Sequence, residues 1–118
     1  MGKQIMVVTT NNLPGFEVEE VIGEVFGLIV RSRNVFSNIG ANFRTVIGGE
    51  VKGYTKLLSA TREQAMERLR EETSSKGGNA VLMMRFDSGD LGGQMNEVVA
   101  YGTAVKVKPA SGNKSQGI

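Results

Sequence analysis

The sequence predicts an α+β domain that assembles with copies of itself, and three observations carry that reading. A long amphipathic stretch lies between glycine pairs at 48–49 and 77–78. Runs rich in β-branched residues stand on either side of it. The last run is apolar on both faces, and one layer of helix covers only one face of a sheet.

Length and composition bound the rest. With 118 residues, 40% hydrophobic and 22% charged, the chain is expected to form one domain over residues 1–108. The closing PASGNKSQGI, residues 109–118, is small and polar and reads as a flexible tail. Cysteine and histidine are both absent. That removes disulfides, zinc-thiolate sites, thiol nucleophiles and the usual near-neutral general base. The net charge of +2 is too small to argue for nucleic acid. The short apolar run near the amino terminus is unlike a secretory signal, and no run reaches the roughly 20 apolar residues of a membrane span. The expectation is a cytoplasmic protein that binds neither membrane nor nucleic acid.

The elements follow in order. Ile5 to Val8 predicts a brief strand that ends at TTNNLPG. Phe16 to Val30 predicts a long strand bent at Gly23 and Gly27. Val35, Phe36, Ile39, Phe43, Val46 and Ile47 recur at helical spacing, and Gly48 and Gly49 stop that helix. A second helix from about Val51 to Lys76 carries Val51, Tyr54, Leu58, Ala65, Leu69 and Thr73 on one stripe. Its Glu63, Glu67, Arg68, Glu71 and Glu72 read as a solvated face, with Arg68 and Glu72 four apart. NAVLMMRFD predicts a buried strand, paired across a glycine-rich loop with Glu97 to Val107.

That last strand gives the argument for assembly. Val98, Ala100, Gly102 and Ala104 share a small face, which suits the close approach of the helix. Val99, Tyr101, Thr103, Val105 and Val107 share a bulky face that still needs a cover. A helix of 26 residues is about 39 Å long, beyond the roughly 34 Å diameter of a compact domain of this size. Neighbouring copies would satisfy both facts.

Candidate sites are few. Asp87 and Asp90, with Ser88 and Gly89 between them and Glu97 nearby, supply hard oxygen ligands for a cation, though D-S-G-D does not match the spacing of an EF-hand loop. Bonding to backbone amides of a turn is the competing role for these acids. Any catalysis would have to use carboxylates, lysine, tyrosine or hydroxyls, and Asp87, Asp90 or Glu97 are the candidate acids or bases of a carboxylate enzyme. Met66, Met83, Met84 and Met95 offer thioethers but read as core filler. IGGEVKGYTK could present amides to an anion, yet it lacks nucleotide-loop spacing. Arg31, Arg33, Arg44, Lys52 and Lys56 form a basic set without free aromatic residues for stacking.

Three blocks of this chain carry a resemblance: RSRNVFSNIGANFRTVIGGEVKGYTKLL, GGNAVLMMRFD and GGQMNEVVAYGTAVKV. In order and spacing, including IGG-x-x-x-G-Y and AYGTAV, they are similar to the YbjQ-like family of uncharacterised proteins, from Val7 to Val107. The resemblance implies a β-α-β-β core of the dodecin-like kind, assembled as a homopentamer, with no established enzymatic activity. It marks Gly48, Gly49, Gly53, Tyr54, Tyr101 and Gly102 as motif residues of structural role. The family carries a heavy-metal-binding label, so the implied cofactor is a metal ion in a chain with no cysteine or histidine to ligate it. The expected function is a binding protein with its ligand, a metal ion or small molecule, held between subunits. An enzyme using carboxylates and a structural ring that docks a protein partner are the alternatives.

Overall fold

A computed structural model describes residues 4–32, 52–92 and 95–110. The protein is α+β, one helix packed on a four-stranded mixed sheet. In chain order the elements are β1 (Met6–Val7), β2 (Phe16–Ser32), α1 (Lys52–Ser75), β3 (Ala80–Leu91) and β4 (Met95–Pro109). The sheet order is β1-β3-β4-β2. β3 and β2 flank β4 antiparallel, whereas β1 joins β3 in parallel, so the sheet is not antiparallel throughout. The helix predicted over Val35–Ile47, together with Gly48, Gly49 and Val51, lies outside the described residues.

β2 is long because its β-branched residues pair with β4 along almost their full lengths, from Phe16 opposite Pro109 to Ser32 opposite Met95. The two predicted bends resolve differently. Register slips between Val18 and Glu20 and between Val21 and Gly23, where Gly23 takes a φ of 132° that other residues resist. Gly27 stays in register and serves a different purpose. A Cβ there would run into the Ala65 carbonyl oxygen and lie 2.6 Å from the Leu69 amide nitrogen, so only glycine lets α1 lie this close.

Helix α1 ends as its sequence demands. Gly77, at φ 89°, donates its amide to Ser74 O, and the Gly78 amide reaches back to Thr73 O at 2.9 Å, the paired bonds of a Schellman ending. Ala65, Leu69 and Thr73 of the predicted stripe are buried. Leu58 is not, at 45% exposure, and borders an open cleft against β3 and β4. Thr61 and Thr73 are buried without an orphaned hydroxyl, each donating to the carbonyl four residues earlier at 2.8 Å.

The main core lies between α1 and the small face of β4, where Val98, Ala100 and Ala104 meet Val25, Ile29, Ala65, Leu69 and Val81. The bulky face is covered at one end only. There Val105 and Val107 bury against Ala80 and Leu82, with Met6, Val8 and Leu13 folded over them. Asn79 extends this end of the sheet, because its side chain both donates to Val107 O and accepts from Val107 N, as a neighbouring strand would. Elsewhere on that face Phe26, Leu28, Val30 and Tyr101 remain exposed and Val99 is half-buried.

The segment expected to turn at Asp87–Asp90 is strand instead. Pairing of β3 with β4 continues through Asp87–Val99, Gly89–Glu97 and Leu91–Met95, and the chain reverses only after Gly92, at φ 65°. Each further rung pairs two more backbone groups, so a hairpin runs on until glycine permits the turn.

Candidate functional site

The register of β3 on β4 decides what the three acids can do together. Side chains alternate along each strand, and directly opposed residues share a face. Asp87 and Gly89 therefore lie on the helix-free face with Val99 and Glu97, whereas Ser88 and Asp90 lie on the helix-bearing face with Val98 and Asn96. Glu97 and Asp87 are diagonal neighbours, roughly 7–8 Å apart along the ladder. The Glu97 side chain lies across Gly89, where a Cβ would sit 3.4 Å from its Oε2. The Asp87 carboxylate accepts the Ser88 amide at 3.0 Å. The structure thus brings Asp87 and Glu97 to one surface and sends Asp90 to the other. Among the described residues no three Asp or Glu side chains gather to hold a metal ion.

A cleft of about 240 Å³ opens beside this hairpin, between Leu58 of α1 and Ser88, Gly89, Asn96, Glu97 and Val98. It is half apolar and half polar in its lining residues. Glu97 is the carboxylate among them.

Four of the motif residues, Gly53, Tyr54, Tyr101 and Gly102, lie among the described residues. Gly102 is buried, and a Cβ there would lie 2.6 Å from Val81 Cγ1 and 2.9 Å from Leu82 O. Its absence of side chain makes room for the irregularity in β3 between Leu82 and Arg85, where Met83 takes a positive φ of 56°. Tyr101 stands on the helix-free face with its ring 6.4 Å from that of Phe26. Gly53 and Tyr54 fall in the first turn of α1.

Arg31 of the basic set is turned onto the helix, where its guanidinium donates to Thr61 Oγ1 and Gln64 Oε1. Lys56 is exposed on α1, and Arg33 and Arg44 lie outside the described residues. Met66 and Met84 pack against the core beneath α1, while Met83 and Met95 are exposed.

Sequence reasoning missed the chemistry at the outer edge of β2. Two residues read as a solvated helix face reach that strand's backbone: Arg68 Nη1 donates to Leu28 O at 2.7 Å, and Glu72 Oε1 accepts the Phe26 amide at 2.9 Å. The bond from the Phe26 amide, aided by Lys76 at 3.2 Å, holds the Glu72 carboxyl below its usual range against a smaller opposing effect of desolvation. Nothing local in the sequence signals these bonds, since charged side chains four apart on a helix look the same whether they face water or a strand.

The fold and its surfaces define a class: a small α+β protein with one helix-covered sheet face and one largely open face, and no recognisable catalytic constellation among the described residues. The chain belongs to the YbjQ family, whose model, described as "Putative heavy-metal-binding", matches residues 5–108. It is 58% identical over 106 residues to a UPF0145 protein of Lacticaseibacillus casei, covering 90% of this chain and 97% of that one. A UPF0145 protein of Streptomyces griseus is 57% identical over 103 residues, covering 87% and 85%. A crystal structure of a protein of unknown function from Pediococcus pentosaceus, assigned to the DUF74 family, shares the fold with a TM-score of 0.53 at 11% identity, over 88% of this chain and 98% of that one.

Proposed function

We propose that this chain works as a homo-oligomeric binding protein of the cytoplasm rather than an enzyme, a pentamer as its resemblance implies, with ligand sites where subunits meet. One observation carries the reading. On the helix-free face Val18, Val21, Phe26, Leu28 and Val30 of β2 are exposed beside Tyr101, with Val21 66% and Phe26 52% exposed, and Glu24 stands between Val21 and Phe26. The unbroken run of Phe26, Leu28 and Val30 beside Tyr101 is apolar surface of the kind that marks a contact.

Two further facts favour a face rather than an edge as the contact. β2 is an edge strand, but Arg68 and Glu72 already occupy backbone groups at its middle, which hinders growth by strand addition there. The radius of gyration is 18.2 Å, against about 13 Å for a compact domain of 100 residues, so much of the sheet lies far from its own centre. Asp87 and Glu97 stand on the same open face, at the margin where a neighbouring copy would add its own polar groups. Sedimentation and native mass spectrometry of the full chain over a micromolar dilution series test the proposal. A closed assembly is expected, and a stable, folded single chain would overturn it.

A further inference from the structure

The family's description names heavy metals, and the donor atoms of this chain bear on that directly. Soft ions such as Cu(I), Cd(II) and Hg(II) take thiolate, thioether or imidazole ligands. The chain has no cysteine and no histidine. Thioethers are the soft donors left to it, six in all.

Five of them lie among the described residues, spread over both sides of the sheet. Met66 and Met84 are packed against the core beneath α1, and Met6 packs against the cluster on the opposite side of the sheet. Met83 and Met95 are each 44% exposed. Met95 opens β4, whereas Met83 sits in the irregularity that faces Gly102, seven residues along the same strand. At the rise of an extended strand the two are on the order of 24 Å apart. Carboxylates are hard donors and a poor substitute. Asp87 and Asp90 face opposite sides of the sheet, no three acids converge among the described residues, and Glu50 is the single acid outside them.

Assembly does not change the donor types. A ring of identical copies multiplies the atoms each copy has and adds neither a thiolate nor an imidazole. We infer that this chain does not hold a soft heavy-metal ion, alone or assembled, and that the description of its family does not describe its chemistry. The inference does not assume the oligomer proposed above: assembly leaves thioether as the one soft donor type, and the exposed Met83 and Met95 are the ones the test below addresses.

The test uses the untagged full chain, equilibrated separately with Cu(I) under anaerobic reducing conditions, Cd(II) and Hg(II), then dialysed and assayed for metal content by mass spectrometry and for melting temperature by calorimetry. Metal at the level of a protein-free blank, with an unchanged melting temperature, is the expected result for all three ions. Retention of any of them at a fixed stoichiometry per chain or per assembly overturns the inference. Loss of that retention in a Met83→Leu, Met95→Leu double variant would then locate the donors.

Discussion

The Glu72 carboxylate accepts the Phe26 amide at 2.9 Å, a bond between residues 46 positions apart that fastens helix α1 to the outer edge of β2. Arg68 repeats the connection one step along, at Leu28 O. The two side chains stand in for a missing neighbouring strand, one as acceptor and the other as donor, at the place where an edge is most open to unwanted pairing.

That bond makes a prediction about acid. The folded carboxyl of Glu72 is held below its usual value of 4.5, first by the Phe26 amide and then by Lys76. Its stabilisation is therefore present above that usual value and is lost as pH falls through the folded pKa. The group is partly exposed, so the effect is small. Urea unfolding followed from neutral to acid pH should show a shallower acid loss in Glu72→Gln than in the parent. Glu72→Ala, which removes the acceptor altogether, should be destabilised by about 1 kcal/mol at neutral pH. Equal pH profiles for parent and Glu72→Gln would show that the charge is not felt.

Gly27→Ala should be far more damaging than its size suggests. The added methyl meets helix backbone at Ala65 and Leu69 rather than a movable side chain, so α1 must shift as a body. A loss of about 1–3 kcal/mol or more in chemical denaturation is expected. Gly23→Ala meets no atom within 4 Å, and its cost should come from the positive φ alone.

Leu69→Ala tests where the core is. Leu69 is fully buried between α1 and the sheet, among the largest of the fully buried side chains. Truncation should cost about 2–5 kcal/mol by calorimetry or denaturant titration. Leu58→Ala, at a half-exposed position on the same helix, should cost well under half as much.

Assembly can be separated from folding. Phe26→Glu places a charge in the exposed row without opening the helix-side core. Its sedimentation profile should move toward smaller species, while its far-ultraviolet circular dichroism stays that of the parent. An unchanged oligomer would exclude the Phe26 side chain from the contact.

The amino-acid sequence by itself determined the α+β class, the helix from about Val51 with its glycine stop, the long strand from Phe16, and the small face of β4 as the seat of the helix. These follow from short-range periodicity and from the backbone freedom of glycine, which are properties of neighbouring residues. It also excluded thiolate and imidazole chemistry outright, since composition alone decides that. Only the tertiary structure decided that Asp87 and Asp90 face opposite ways, because strand register is a relation between β3 and β4 that neither segment carries alone. Only it turned Arg68 and Glu72 from a solvated helix face into fasteners of β2, and showed that Gly27 marks a close approach while Gly23 marks a bulge. A glycine or a charged pair reads the same in either role until the partner across space is known.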